Sequence, residues 1–352
     1  MQTDKKNSQY NYTLDTLRVI AAVFVVLIHL ISIYYENGFN GFFNFYFYRL
    51  LLDIAVPIFF ASMGYVFLSP EFGSDNANMR NKLSRLSFKR SGRYLKYYIL
   101  TSVVYILMEY AIVKMDKVYL NFDSWEKFEI RFTLARLIDG TIGGVHLWFL
   151  MAAVISFFVF GALFRVGIHP AAMIFIAGPL YFLGHVMHVP GLHQIDLLIA
   201  DEGLFMGMFY ISLGMFVRAL TIKYNTSYII IAVAMWILFP FIDYYKVGPP
   251  SFIILIVSTL FLMIFARSKD SIGKHSKFIR LFAKYNLFIY LFHLAFLRLS
   301  NKALSIYYHL QEINNPFWKE TWYFPSVFIL AIIGPIFIYY LVAVPLQQFK
   351  KK

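Results

Sequence analysis

Runs of apolar residues alternate along the chain with short stretches rich in charged residues, proline, glycine or asparagine. A helix needs about 20 apolar residues to cross the hydrocarbon core of a bilayer, and ten runs approach or exceed that length. None shows the strict polar–apolar alternation of a membrane β-barrel strand, so helices remain as the way to satisfy the backbone in lipid. We therefore predict an all-α transmembrane helical bundle of about ten spans, near 14–35, 46–68, 94–114, 146–165, 170–187, 203–219, 227–244, 250–266, 285–304 and 323–346.

The composition leads to the same conclusion. Of 352 residues, 60% are apolar and 14% are charged, whereas an average soluble domain has about 25% charged residues. The longest break, about 115–145, is polar and has room for a short surface helix. We therefore predict a single integral-membrane domain over 1–352.

The net charge of +13 is distributed unevenly. With the N-terminus in the cytoplasm, the segments on the inner side carry about twice as many lysines and arginines as those on the outer side, as the positive-inside rule requires. This bias predicts cytoplasmic N- and C-termini. The positive charge is therefore explained by membrane topology and by attraction to anionic lipid headgroups. No nucleic-acid partner is expected.

The first span contains the most informative polar residues. Charged groups inside a span are costly and are therefore candidates for function. Arg18 and His29 are 11 residues apart, which places them on one helix face and about 16 Å apart along the axis. Asp15 lies three residues before Arg18, where it can orient the guanidinium. The alternative is a snorkelling arginine and a histidine packed in the protein interior.

This arrangement resembles the membrane-bound acyltransferase-3 family. The string LDTLRVIAAVFVVLIH, which ends at His29, is similar to the family's opening helix, in which ten residues separate an arginine from a histidine. VPIFFASMGYVF at 56–67 is similar to its FF-x-x-SG-[FY] motif, and Arg90 with Arg93 to its cytoplasmic R-x-x-R. Further similar strings are HLWFL at 146–150, FYISLGMFVR at 209–218 and YNLFIYLFH at 285–293, so the resemblance covers essentially the whole chain. The chain departs from the family at Met63 and Asn286, where serine is usual or common.

The resemblance implies transfer of an acyl group from cytosolic acyl-CoA to a hydroxyl of a cell-surface polysaccharide or its lipid-linked precursor. Acetyl is the acyl group that it favours. Within the family the chain most resembles stand-alone members that O-acetylate surface polysaccharides such as enterobacterial common antigen. A multi-pass protein of the inner (plasma) membrane is expected. A transporter or flippase of a glycan or lipid-linked intermediate is the alternative, since polar groups lining a cavity between helices would also serve transport.

The resemblance assigns His29, Arg18 and Asp15 to catalysis, and Arg90, Arg93 and Arg18 to binding of the acetyl-CoA phosphates. A sugar hydroxyl needs a base to become a good nucleophile, and His29 suits that role. Direct deprotonation of the acceptor and prior formation of an acyl-histidine both remain open.

Other polar and aromatic residues of the predicted spans are candidates for acceptor binding: Asp53, Glu109, His146, Trp148 and His293. An outer carboxylate hydrogen-bonded to His29 would fix its tautomer, and Asp53, Glu109, Glu202 and Asp243 could supply it. For each of them, an interhelical hydrogen bond or a position at the headgroups is the alternative.

No metal is expected. The chain has no cysteine, which excludes thiolate metal sites and a cysteine nucleophile. His185, His188 and His193 are close in sequence, but their spacing matches no pair of ligands one helical turn apart, and Pro190 and Gly191 lie between them.

Overall fold

The computed structural model describes residues 10–36, 42–68, 77–129, 132–186, 203–220, 225–245, 251–313 and 316–343. Within these ranges the chain forms helices and no strand, which confirms the all-α prediction. Six helices are long and apolar enough to cross a membrane, and four shorter helices are also apolar. The chain is therefore a membrane protein with several spans, while the count of ten and the cytoplasmic termini stay predictions.

The helices follow the predicted apolar runs in order along the chain. They are α1 (Tyr12–Glu36), α2 (Phe42–Leu52), α3 (Ala55–Phe67), α4 (Ala77–Tyr119), α5 (Trp125–Glu129), α6 (Leu134–Asp139), α7 (Trp148–Arg165), α8 (Met173–Val186), α9 (Leu204–Ala219), α10 (Ser227–Tyr245), α11 (Ser251–Ser268), α12 (Lys277–Leu310) and α13 (Tyr323–Ile338). Short 3-10 turns cover Val145–Leu147, Pro170–Ala172 and Phe317–Lys319, and a π-helical segment, Tyr339–Ala343, extends α13. The last three residues of the predicted span 323–346 lie outside the described residues.

The predicted span 46–68 is interrupted. It consists of α2 and α3, which are separated at Asp53 and Ile54 within one candidate membrane span, Phe47–Phe67. Pro57 explains the break, because it has no N–H to donate to the carbonyl of Asp53 and its ring would clash with that carbonyl in a continuous helix. Regular bonding resumes with the amide of Ile58, which donates to the carbonyl of Ile54 at 3.1 Å. The predicted span is confirmed as one candidate membrane span, and the break within it was not predicted.

Two helices are much longer than their predicted spans. Helix α4 has 43 residues and contains the predicted span 94–114. Helix α12 has 34 residues and contains the predicted span 285–304. At 1.5 Å per residue they measure about 65 and 51 Å, whereas the hydrocarbon core is about 30 Å thick. Hydropathy marks where the apolar part ends, but lysine and arginine are good helix formers, so the helix continues into the charged stretch.

The segment 115–145 also differs from the prediction in detail. The end of α4 extends into it as far as Tyr119, and two short helices, α5 and α6, follow. Helix α6 begins at Thr133, whose side chain accepts a hydrogen bond from the amide of Arg136, and ends at Gly140, whose φ of +86° is the left-handed conformation that glycine adopts readily.

Helix α3 is held against α9 by direct contact between their backbones. A Cβ atom on Gly64 would lie 1.8 Å from the carbonyl oxygen of Ile211, and one on Gly214 would lie 1.9 Å from that of Ala61. Small residues allow helices in a membrane to approach in this way, and tight packing then stabilises the pair. The contact fixes the position of α3, which also packs on α1 and α11.

We predict that Gly214→Ala destabilises the protein by about 1–3 kcal/mol, because the added methyl group has no space between the two backbones. The measurement is the unfolding transition of the purified protein in detergent. Gly92→Ala is the matched control, since a Cβ atom there meets nothing within 4 Å. Equal unfolding temperatures for the two variants would contradict the backbone contact.

Candidate functional site

One group of polar residues lies where the N-terminal part of α1 meets α3. The guanidinium of Arg18 is 3.5 Å from the carboxylate of Asp15, and it donates to the backbone carbonyl of Ser62 at 3.4 Å. The sequence prediction that Asp15 lies beside Arg18 is therefore confirmed in the geometry. The Arg18 side chain remains about one quarter exposed, so part of its guanidinium is accessible.

Arg90 of α4 reaches the same end of α3. Its guanidinium donates to the carbonyls of Met63 at 3.3 Å and Val66 at 3.4 Å, and it lies 5.0 Å from the centre of the Phe67 ring. Carbonyls in the last turns of a helix carry partial negative charge and attract cations. The end of α3 therefore brings Arg18 and Arg90 together, and Arg93 is exposed one turn further along α4.

The tyrosine that precedes α1 adds to this group of residues. Tyr10 donates a hydrogen bond to the carboxylate of Asp15. Partial burial, together with this bond and the negative charge of Asp15, raises the pKa of Tyr10 to about 12. Tyr10 therefore remains a neutral hydrogen-bond donor, and it helps to hold Asp15 beside Arg18.

At the other end of α1, three histidines from three elements come together. His29 lies on α1, His146 in the 3-10 turn before α7, and His293 on α12. Their ring centres are 5.2 Å apart for His29 and His293, 5.3 Å for His146 and His293, and 6.2 Å for His29 and His146. His146 and His293 are fully buried, whereas His29 is half-buried. We call these three residues the histidine cluster.

Backbone carbonyls fix the tautomers of the two buried histidines. The Nδ1 atom of His293 faces the carbonyls of Tyr290 at 2.7 Å and Ile289 at 3.1 Å, and Nε2 of His146 faces that of Leu291 at 3.2 Å. Because a carbonyl only accepts, these nitrogens carry the protons. The opposite nitrogens, Nε2 of His293 and Nδ1 of His146, are buried and have no hydrogen-bond partner in the described part of the chain.

His29 lines a cavity of about 520 Å³ between α1, α4, α12 and the 3-10 turn before α13. Arg298 is paired with Glu109, and Lys302 with Asp116, so each cation in the wall has an acidic partner. The wall also presents neutral hydroxyl, amide and aromatic groups. The described lining residues are His29, Ser32, Ile33, Glu109, Ile112, Val145, Leu294, Arg298, Asn301, Lys302, Ser305, Phe317 and Trp318.

Two residues proposed for acceptor binding lie elsewhere. Asp53 forms an ion pair with Arg49 at the break between α2 and α3. Trp148 is buried, with its ring centre 6.1 Å from that of Phe60. Neither lines the cavity, and neither do His146 and His293, so Glu109 is the candidate found among the described lining residues. The roles of all five candidates in binding stay predictions.

Among the carboxylates considered as partners for His29, Glu109 lines the same cavity, but its carboxylate is bonded to Arg298. The ring neighbours of His29 are instead the other two members of the histidine cluster. The side chains of Glu202 and Asp243, and those of His185, His188 and His193, lie outside the described residues. Within the described ranges no group of three or more histidine, cysteine, aspartate or glutamate side chains is placed to hold a metal ion, so the absence of a metal stays a prediction.

The sequence analysis did not identify the face of α12 that lines the cavity. Leu294, Arg298, Asn301 and Ser305 follow the i, i+4, i+7, i+11 spacing of one helix face, and all four line the cavity. That spacing was visible in the sequence. Trp318 carried no such signal, because its position depends on the connection between α12 and α13.

The acyltransferase-3 family model, described as an acyltransferase domain, matches residues 11–340. The match covers nearly the whole chain and includes both ends of α1 and the histidine cluster. The chain therefore belongs to the acyltransferase-3 family, and it is a membrane acyltransferase. No curated protein and no solved structure gives a significant match.

Proposed function

We propose that the protein is an O-acyltransferase that moves an acyl group, most of all acetyl, from cytosolic acyl-CoA to a hydroxyl of a cell-surface polysaccharide or its lipid-linked precursor. The observation that carries the proposal is the arrangement on α1. Arg18 lies with Arg90 at one end of this helix, and His29 lines a polar cavity at the other end. The positive-inside bias assigns the arginine end to the cytoplasm, where acyl-CoA is made, in the inner (plasma) membrane.

The donor is bound by its phosphates at the arginine end. Guanidinium groups bind phosphate through pairs of parallel hydrogen bonds, and each has five N–H donors, more than the contacts of Arg18 and Arg90 consume. Arg93 is exposed one turn from Arg90 and supplies a further cation. The 11 residues from Arg18 to His29 correspond to about 16 Å. An extended pantetheine arm is long enough to carry the thioester over that distance.

The cavity beside His29 suits a sugar. Trp318 offers an aromatic face for the apolar side of a pyranose ring, and Asn301, Ser32 and Ser305 offer neutral polar groups for hydroxyls. Because the cations Arg298 and Lys302 are paired with acidic side chains, the wall combines polarity with little net charge.

In the direct mechanism, His29 removes the proton of the acceptor hydroxyl as its oxygen attacks the thioester carbon. The tetrahedral intermediate then collapses with cleavage of the carbon–sulfur bond. The CoA thiolate leaves and takes up the proton from His29, so the products are the O-acyl sugar and CoA. An acyl-histidine intermediate would use the same residue and donor.

We predict that His29→Ala lowers acyl transfer by about 10²- to 10⁴-fold, because the general base is lost. The measurement is transfer of radiolabelled acetyl from acetyl-CoA to surface glycan, supported by mass spectrometry of glycans from a deletion strain complemented with each variant. His309→Ala is the matched control, because it removes an exposed histidine of α12 that does not line the cavity. Activity of His29→Ala within a few-fold of the wild type would remove His29 from catalysis.

We predict that Arg93→Ala raises the KM for acetyl-CoA about tenfold or more, because a charge-assisted hydrogen bond to phosphate contributes roughly 1.5–3 kcal/mol. The KM for the acceptor should change little. Arg85→Ala is the control, because Arg85 is also exposed on α4 and its loss changes the net charge equally. An unchanged KM for acetyl-CoA in Arg93→Ala, or an equal rise in Arg85→Ala, would argue against phosphate binding at Arg93.

A further inference from the structure

Two buried nitrogen lone pairs beside His29 have no donor among the residues that the structure describes. They belong to Nε2 of His293 and Nδ1 of His146, and both rings are fully buried. A buried polar atom without a partner costs about 1–3 kcal/mol, so native proteins rarely retain one without a reason. A nearby N–H or O–H group is therefore expected to donate to one of them.

The hydroxyls of the two tyrosines that contact the histidine cluster are already engaged. Tyr105 donates to the carbonyl of Leu291 at 3.0 Å and accepts from the amide of Ala295 at 3.0 Å. Tyr290 donates to the carbonyl of His146. Among the described rings that contact His293, this leaves the imidazole of His29 as the donor that can supply an N–H.

We propose that His293 is the positioning residue for His29: a rotation of the His29 ring brings one of its N–H groups to Nε2 of His293, which is unpaired in the structure as described, and turns the other ring nitrogen toward the acceptor in the cavity. This inference rests on the proposed function. The ring of His293 is closer to His29 than that of His146, with centres 5.2 Å against 6.2 Å apart. The His29 and His293 planes differ by 35°, whereas the His29 and His146 planes differ by 79°.

A neutral imidazole can replace the carboxylate that often orients a catalytic histidine. The carbonyls of Ile289 and Tyr290 hold the proton of His293 on Nδ1 and thereby keep Nε2 as an acceptor. When His29 has taken the acceptor proton, both of its nitrogens carry hydrogen, and one of these hydrogens remains bonded to His293. This arrangement avoids the large cost of placing an unpaired carboxylate in the interior.

The test compares His293→Leu with His293→Gln. Leucine removes the acceptor, whereas the amide oxygen of glutamine lies close to the position of Nε2 and can accept the same hydrogen bond. We expect kcat to fall about 100-fold in His293→Leu with little change in the KM for acetyl-CoA, and to recover to within about tenfold of the wild type in His293→Gln. Equal losses in both variants, or a loss confined to KM, would overturn the proposal.

His146 provides the competing assignment. The variants His146→Leu and His146→Asn are assayed in parallel, because the asparagine oxygen can stand in for Nδ1. A kcat loss in His146→Leu that asparagine restores, with normal kcat in His293→Leu, would transfer the positioning role to His146 and overturn our assignment. Stoichiometric zinc in the purified protein, with activity lost to a chelator, would also overturn it, because the lone pairs would then bind metal.

A spectroscopic measurement makes the test independent of turnover and of variants that fail to fold. In wild-type protein labelled with nitrogen-15 histidine, we expect a coupling across a hydrogen bond between His29 and His293, with the His29 signals assigned by comparison with His29→Ala. Absence of this coupling would refute the inference even if acyl transfer is observed. Absence of acyl transfer with the coupling present would instead refute the proposed function.

Discussion

Polar side chains within a lipid-spanning bundle need partners inside the protein, because the hydrocarbon offers none. Most of the polar groups near the site satisfy this constraint. Arg18 and Arg90 donate to the carbonyls at the end of α3, and Arg298 is paired with Glu109. The histidine cluster differs, because Nε2 of His293 and Nδ1 of His146 have no partner among the described residues. Both atoms belong to rings that neighbour His29, which lines the cavity.

The same helices link the two ends of the site. Helix α1 carries Arg18 and His29, and it packs on α3 and α12. Helix α3 contributes the carbonyls that Arg18 and Arg90 contact, and its position depends on the close approach of Gly64 and Gly214. A disturbance of this packing would therefore reach the arginine end through the backbone of α3.

Much of this organisation could be predicted from the sequence, because membrane spans and a single polar face of a helix leave periodic signals. The all-α architecture and the Asp15–Arg18 pair were predicted correctly. The break at Asp53 was missed although Pro57 is visible, because the apolar run continues across it. The full length of α4 was missed because its N-terminal turns are rich in charged residues, and hydropathy does not detect a charged helix.

The histidine cluster could not be assembled from the sequence. His29, His146 and His293 lie on three separate elements, and their convergence depends on how α1, α7 and α12 pack. The sequence analysis proposed a carboxylate as the partner of His29, because a carboxylate often orients a catalytic histidine. The bundle instead surrounds His29 with imidazoles, and it places Trp318, rather than Trp148, in the cavity wall.

The central claim is that donor and acceptor reach His29 from opposite sides of the membrane. The direct measurement uses sealed vesicles of known orientation, with labelled acetyl-CoA outside and glycan acceptor on the far face. We predict rapid labelling in inside-out vesicles, where acetyl-CoA meets the arginine end, and labelling in right-side-out vesicles only after permeabilisation. Equal labelling in both sealed preparations, or labelling only of acceptor on the same side as acetyl-CoA, would contradict the account.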